Sequence, residues 1–179
     1  MSDLILYHGT IAEFSVVDLK HCKDKKDFGK GFYTTTDVHQ AITLAKTMRQ
    51  WEFIRGNAYA RAYVYSFKID KQMLKMLRTH TFQSANISWV DYIIKNRYST
   101  PHNSGGAVDF DVVIGKVADA NTNRLINEFR EAYGDKATNE QKEQLIRRLR
   151  PENLTDQYCF KSTRSLKLLN ACMQRREIR

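Results

Sequence analysis

A glycine-spaced turn that runs into an aromatic strand is the segment of this sequence best suited to bind a ligand. It reads Asp27-Phe28-Gly29-Lys30-Gly31-Phe32-Tyr33-Thr34-Thr35-Thr36. Each glycine lets the backbone come close to another part of the chain or to a ligand, because no Cβ stands in the way. Side chains alternate along a strand, so one of the two aromatic residues, Phe32 or Tyr33, can enter a core while the other lines a cleft. Taken alone, the segment is more typical of an ordinary turn and core strand.

Two further segments place polar residues at the ends of short strands. The apolar strand Leu4–Thr10 ends in a histidine followed by a glycine, His8-Gly9. The strand Asp156–Phe160, near the other end of the chain, opens with two polar residues. A histidine at a strand end is more often satisfied by backbone than by a ligand, so the functional interpretation depends on the three segments occurring together.

Together these segments resemble the signature of the ADP-ribosyltransferase superfamily, in the histidine-tyrosine-glutamate branch that includes the poly(ADP-ribose) polymerases and diphtheria toxin. The matching stretches are Leu6-Tyr7-His8-Gly9-Thr10, Gly29-Lys30-Gly31-Phe32-Tyr33 and Asp156-Gln157-Tyr158. Closer still is the resemblance to an uncharacterised bacterial family whose members are often encoded beside a small candidate antitoxin. Because the motifs span nearly the whole chain, the resemblance implies a single domain over residues 1–179. It also implies an α+β fold with a split, mainly antiparallel sheet and flanking helices.

The resemblance implies that NAD is the substrate and that the bond between nicotinamide and ribose is cleaved. Cleavage builds positive charge on the ribose, which a catalyst must stabilise while it fixes the neutral leaving group. By resemblance, His8 binds a ribose hydroxyl, the backbone of Gly9 pairs with the nicotinamide carboxamide, and Thr10 adds a hydroxyl contact. Tyr33 would stack on the nicotinamide ring. With Gln157, which would hold the ribose 2′-hydroxyl, His8 and Tyr33 form the expected catalytic set, lining one cleft.

The sequence departs from the polymerase-like pattern at two positions of this site. Leu44 stands where those members carry a second tyrosine that completes an aromatic sandwich. One aromatic wall is therefore missing unless Trp51 or a loop residue supplies it. Gln157 stands where they carry glutamate, so the hydrogen bond is kept but a charge worth about 4 kcal/mol in a partly buried site is lost. The neighbouring Asp156 should point to the opposite face of its strand.

Positive charge is the main feature of the composition. The formal net charge is +9, and the basic residues are concentrated in the loop before Tyr33 and in the last quarter of the chain. The lysines of the loop, which we call the lysine loop, are Lys20, Lys23, Lys25, Lys26 and Lys30. Such clusters attract phosphates or an acidic partner such as an antitoxin, although a solvated face is the simpler interpretation. Aromatic residues are not interleaved with these charges, which favours a protein over a nucleic acid as the acceptor.

The remaining composition predicts one globular cytoplasmic domain. Hydrophobic residues make up 42% of the chain and charged residues 27%, and no apolar run approaches membrane-spanning length. The start of the chain lacks the pattern of a signal peptide. The cysteines Cys22, Cys159 and Cys172 are scattered, as are the histidines, which predicts reduced thiols and no metal site.

Hydrophobic periodicity and turn signals predict a mixed α and β chain. The predicted strands cover residues 4–10, 31–36, 61–69, 110–115 and 157–161; the predicted helices cover 37–55, 71–77, 88–97, 122–133, 138–149 and a terminal helix from Ser165. A mobile loop is predicted for residues 99–106. Asp109 and Asp111 flank a central strand, where a structural role is expected for both.

Three functions fit these observations. The first is an NAD-dependent mono-ADP-ribosyltransferase, a glycosyltransferase, acting as a bacterial toxin or effector on a macromolecule. The second is an enzyme that keeps the NAD pocket but hydrolyses NAD or acts on a tRNA 2′-phosphate. The third is a non-catalytic NAD- or nucleotide-binding module, for which Gln157 and Leu44 are the best arguments.

Overall fold

The computed structural model describes residues 3–98, 110–117, 120–149 and 154–179. Its strands are β1 (Asp3–Thr10), β2 (Phe32–Thr35), β3 (Ala62–Asp70), β4 (Thr79–Thr81), β5 (Val112–Lys116), β6 (Asp156–Phe160) and β7 (Met173–Ile178). Its helices are α1 (Val38–Ile54), α2 (Lys71–Lys75), α3 (Ile87–Tyr98), α4 (Ala120–Tyr133), α5 (Asn139–Leu149) and α6 (Thr163–Asn170).

The strands form one seven-stranded sheet in the order β4-β5-β6-β2-β1-β3-β7. Every neighbouring pair is antiparallel except β4 and β5, which run parallel. The predicted α+β class, with a mainly antiparallel sheet and flanking helices, is confirmed. Between β1 and β2 the register contains the single pair Tyr7 and Thr35, whereas β1 pairs with β3 along its whole length. The sheet therefore has two halves joined at a narrow contact, which we call the β1–β2 seam.

The two faces of the sheet pack against different helices. One face, here the α3 face, carries a core that includes Cys159 of β6, Trp89 of α3 and residues of α4 and α5. The other face, here the α6 face, carries a core that includes Phe32, Phe160 and Leu169. Adjacent residues of one strand thus belong to different cores, as the alternation of side chains requires. Because Phe32 packs on the α6 face, Tyr33 packs on the α3 face.

The helix that follows β2 begins as the sequence predicts. Asp37 is its N-cap, and its carboxylate accepts hydrogen bonds from the backbone of His39 at 2.8 Å and Gln40 at 3.3 Å. Ala41 and Ala45 are the residues that α1 buries. Short side chains at these positions allow the helix to lie close to the sheet, and this closeness matters for Gly9 below.

The C-terminal part of the chain differs from the prediction. The predicted terminal helix is α6, which ends at Asn170, and residues 173–178 then form β7 along the edge of the sheet. The residues of β7 are half-buried or exposed, and three of them are Arg175, Arg176 and Glu177. A polar edge strand lacks the apolar alternation by which strands are recognised, and charged residues are typical of sheet edges. The short strand β4 was also not predicted, and the loop predicted at 99–106 lies outside the described residues.

In the described part of the chain, no helix is long and apolar enough to cross a membrane.

Candidate functional site

The hydroxyl of Tyr33 closes the glycine turn that precedes it. It donates a hydrogen bond to the carbonyl of Gly29 at 2.7 Å and accepts one from the backbone N–H of Phe28 at 2.9 Å. Gly29 has a φ of +79°, which a glycine adopts without strain. The ring of Tyr33 is half-buried, with the ring of Phe28 at 6.4 Å. Burial raises the pKa of Tyr33 above its usual range, so the phenol stays protonated as a donor.

The glycines of the first two segments bring parts of the chain itself together. A Cβ on Gly31 would lie 2.4 Å from the sulfur of Cys159, and a Cβ on Gly9 would lie 1.8 Å from the carbonyl oxygen of Ala41. Gly31 thus lets β2 approach β6, and Gly9 lets β1 lie directly against α1. The contact of the Gly9 backbone with a carboxamide stays a prediction.

His8 is bound to the strand that carries Tyr33. Its ring Nδ1 lies 2.7 Å from the backbone carbonyl of Tyr33. Because a carbonyl oxygen only accepts, Nδ1 carries the proton and the lone pair of the neutral ring is on Nε2. Burial lowers the pKa of His8, and the hydrogen bond to the carbonyl offsets only part of that effect. At neutral pH the ring is therefore an uncharged hydrogen-bond acceptor through Nε2.

The surroundings of His8 belong to the α6 face. Its ring centroid lies 4.4 Å from that of Phe32 and 6.3 Å from that of Phe14. Phe14 in turn stacks on Tyr65 at 3.9 Å, and these two residues line an open concavity of about 610 Å³. The hydroxyl of Thr10 accepts a hydrogen bond from the backbone of Ala12 at 3.0 Å, so it shapes the loop that leaves β1.

Gln157 is held by two hydrogen bonds from its amide nitrogen. Nε2 donates to a carboxylate oxygen of Asp27 at 2.9 Å and to the backbone carbonyl of Lys116 at 3.1 Å. The other carboxylate oxygen of Asp27 accepts from the guanidinium of Arg97, with Nε at 2.9 Å and Nη2 also in contact. Arg97 also contacts the side-chain oxygen of Asn123. We call these four side chains, Gln157, Asp27, Arg97 and Asn123, the Asp27 network.

The structure brings Tyr33 and Gln157 together but places His8 on the other side of the sheet. Tyr33 is in register with Cys159, and Thr35 is in register with Gln157, so Tyr33 and Gln157 share the α3 face. His8 lies among residues of the α6 face, and its link to Tyr33 is through the backbone. The single cleft expected for all three side chains is therefore not present in this structure, which removes one geometric argument for their joint catalytic role.

Leu44 and Trp51, the two α1 residues considered for the side of the nicotinamide ring opposite Tyr33, are both exposed. Leu44 is 50% exposed and Trp51 is 59% exposed, whereas Ala41 and Ala45 between the helix and the sheet are buried. Both large side chains thus extend towards solvent. A role for Leu44 or Trp51 opposite the nicotinamide ring stays a prediction.

The acidic residues near the site, Asp111 and Asp156, are used structurally. Asp111 is buried and accepts a hydrogen bond from the backbone of Arg78 at 3.0 Å. Burial alone would raise its pKa, but hydrogen bonds from Ser162 and Arg78 lower the pKa overall. Asp156 pairs with Lys116 at 3.0 Å. Asp109 lies outside the described residues. Within the described ranges, no group of three or more histidine, cysteine, aspartate or glutamate residues could hold a metal ion.

Sequence reasoning missed Asp27 and Arg97. Asp27 opens the glycine turn but sits next to the lysine loop, where an acidic residue is normally solvated. Its burial, at 9% exposure, depends on the partner Arg97, which is 70 residues away. The sequence feature that could have indicated the burial of Asp27 is its position at the start of the turn, directly before the apolar Phe28.

No curated protein and no solved structure gives a significant match to this chain. A family model described as a protein of unknown function, DUF3990, matches residues 4–171. The match begins in β1 and ends just after α6, so it includes all three segments of the candidate site. The chain therefore belongs to the DUF3990 family.

Proposed function

We propose that this protein is an NAD-dependent mono-ADP-ribosyltransferase that modifies a macromolecule, and that it acts as a bacterial toxin or effector in the cytoplasm. The observation that carries the proposal is the strand order. The strands with His8, Tyr33 and Gln157 are β1, β2 and β6, and these are direct neighbours in the sheet although they come from opposite ends of the chain. Adjacent strands are what the motif order of the resemblance requires.

The chemistry of the residues supports binding of NAD at the β1–β2 seam. On the α6 face, Nε2 of His8 offers a lone pair to a ribose hydroxyl, and on the α3 face the half-buried ring of Tyr33 offers an aromatic surface. An NAD molecule that uses both groups would have to pass the seam, where a single residue pair joins β1 and β2. As the bond from ribose to nicotinamide breaks, an acceptor nucleophile bonds to the ribose carbon and nicotinamide leaves as a neutral molecule. The residues that hold the ribose would fix it for that displacement.

The charge distribution predicts a slow enzyme. Gln157 is uncharged, and the nearby carboxylate of Asp27 is paired with Arg97. The site therefore has no unpaired negative charge among these residues to stabilise a developing cation, the interaction that contributes most in such reactions. We expect transfer of single ADP-ribose units at a low rate.

The second candidate function is an NAD- or nucleotide-binding module without turnover. It is favoured by the position of Gln157, whose amide hydrogens are both used within the protein, and by the position of His8 across the sheet. A module of this kind would bind NAD and release no nicotinamide.

The lysine loop supports a macromolecular partner. Its five lysines are all exposed, and the loop leads directly into Asp27 and Tyr33. An acidic surface, on an acceptor protein or on an antitoxin, would be attracted to this loop and brought next to the site.

The proposal is tested by incubating the protein with NAD labelled in the adenylate part, together with a bacterial lysate. We expect label on macromolecules, and its loss in a His8→Gln variant. The matched control is His39→Gln, which changes an exposed histidine of α1 and should leave labelling unchanged. Release of free ADP-ribose would instead support NAD hydrolysis, and binding of NAD without turnover would support the binding module. No binding of NAD at all contradicts both candidates.

A further inference from the structure

The two groups that face the amide of Gln157 are both hydrogen-bond acceptors. One is a carboxylate oxygen of Asp27 and the other is the backbone carbonyl oxygen of Lys116. The amide nitrogen has two hydrogens, and each is directed at one of these oxygens. The reversed amide would place its own oxygen against two acceptors, which is unfavourable in a buried site. The surroundings thus determine which end of the amide points inward.

Asp27 is itself held firmly from several sides. Arg97 binds one carboxylate oxygen through two nitrogens, and the side chains of this ion pair are 10% and 12% exposed. The next residue, Phe28, is fully buried, and its backbone N–H is bound by the hydroxyl of Tyr33. A buried, paired carboxylate of this kind has little freedom to turn away. It can therefore hold a neighbouring side chain in one orientation.

The consequence is that Gln157 offers its amide oxygen, Oε1, to a ligand. Among the described residues, Oε1 has no hydrogen-bond partner, whereas both hydrogens of Nε2 are used. An amide oxygen can only accept, so it would bind a hydroxyl and would not bind a carbonyl or phosphate oxygen. A free amide, by contrast, could turn and bind either kind of group.

We propose that Asp27 is a positioning residue that fixes the amide of Gln157 so that its oxygen accepts a hydrogen bond from a ribose hydroxyl of NAD. This inference rests on the proposed function. It also explains how the site accommodates glutamine, because a glutamate here would place a carboxylate oxygen against the carboxylate of Asp27. The amide nitrogen of Gln157 thus donates to the carboxylate of Asp27, and the amide oxygen is left to accept from the ligand.

The test compares the affinity for NAD with that for an analogue that lacks the 2′-hydroxyl of the nicotinamide ribose. Loss of one hydrogen bond should weaken binding of the analogue to the parent protein about fivefold. In Asp27→Asn the amide of Gln157 can turn, so the ratio of the affinity for NAD to that for the analogue, here called the preference, should fall to nearly one. Asp24→Asn, which changes an exposed acid of the same loop, should keep the preference. A preference that survives in Asp27→Asn overturns the inference and leaves the proposed function intact.

A second measurement needs neither NAD nor a variant at position 27. In the parent, the side-chain NH₂ protons of Gln157 should exchange slowly with water in nitrogen-15 spectra, and those of the exposed Gln174 should exchange fast. The Gln157→Glu variant assigns the signal by its disappearance. Fast exchange at Gln157 overturns the inference even if Asp27→Asn does not fold. If the parent binds no NAD, the proposed function and the ribose contact fail together, and the exchange rate still decides whether Asp27 holds the amide.

Discussion

The two faces of the sheet use their polar groups in different ways. On the α3 face, the hydroxyl of Tyr33 and both amide hydrogens of Gln157 are bound by groups of the protein. On the α6 face, His8 has its Nδ1 bound to the backbone and its Nε2 lone pair remaining, next to the open concavity lined by Phe14 and Tyr65. The comparison teaches that the fold satisfies most of the polar groups of the three motif residues and leaves single acceptors, such as Nε2 of His8 and Oε1 of Gln157, without a partner among the described residues.

The largest effect is expected from breaking the polar network of the α3 face. Asp27→Ala leaves the guanidinium of Arg97 with one partner fewer in a site where its side chain is 10% exposed. Removing one member of a buried ion pair costs about 3–5 kcal/mol, so the free energy of unfolding should fall by that order. Urea unfolding of both proteins measures it. A change of less than about 1 kcal/mol would show that the network is structurally unimportant.

The next effect is expected at Gly9, where β1 lies against α1. A methyl group at this position would meet the carbonyl oxygen of Ala41 at 1.8 Å, and backbone cannot move away as a flexible side chain can. Gly9→Ala should therefore lower the free energy of unfolding by about 3 kcal/mol. The control is Gly56→Ala, where φ is +95° but no atom lies within 4 Å, so strain alone should cost about 1 kcal/mol. Equal effects of the two substitutions would contradict close packing at Gly9.

A smaller effect on the free energy of unfolding is expected from Gln157→Glu. This variant tests whether the groups around position 157 on the α3 face are hydrogen-bond acceptors. The new carboxylate would face the Asp27 oxygen and the Lys116 carbonyl, so its pKa should be raised above that of an ordinary glutamate. A raised pKa means that the variant is least impaired at acid pH and loses stability as pH rises. Unfolding measured from pH 5 to 9 should show a loss of about 1–3 kcal/mol relative to the parent at the alkaline end.

The same variant tests the catalytic role of position 157. A protonated glutamate behaves much like glutamine, so any gain in nicotinamide release should appear only towards alkaline pH. A gain that is equal at every pH would contradict the placement of Asp27 beside this residue. Gln157→Ala releasing nicotinamide as fast as the parent would remove Gln157 from the machinery and favour the binding module.

The smallest effect is expected from the ionisation of His8. Its pKa is lowered in the folded protein by burial, so the unfolded chain binds a proton more readily. Stability from this group is present above the ordinary histidine pKa of about 6.5 and is lost as pH falls below it. The melting temperature should fall by roughly 2–4 °C per 1 kcal/mol lost between pH 7 and 5, and by less in His8→Gln. An identical pH dependence in parent and variant would show that folding does not shift the pKa of His8.

Much of the fold could be predicted from the sequence because local signals agree with the final structure. The helix predicted over residues 37–55 forms as α1 with Asp37 as its N-cap, and the predicted apolar strand around Val113 is central. The edge strand β7 could not be predicted, because its charged residues gain their conformation from pairing with β3. Local pattern gives no information about such a partner.

The candidate site was predicted in part. The motif pattern selected His8, Tyr33 and Gln157, whose strands the structure places side by side, but the expected common cleft is absent because His8 lies on the opposite face. The pattern could not show that the Tyr33 hydroxyl closes its own turn, nor that Asp27 faces Gln157 across 130 positions of sequence. Both contacts depend on the tertiary fold, which decides which of a residue's hydrogen-bonding groups remain for a ligand.

The most direct test of the central claim is calorimetric titration of NAD into the parent and into the histidine variants His8→Gln and His39→Gln. We expect the parent to bind NAD, and His8→Gln to bind it about fivefold more weakly because the Nε2 acceptor is lost. His39→Gln should bind as the parent does. No heat with the parent, or equal affinity in all three proteins, would contradict an NAD site at the β1–β2 seam.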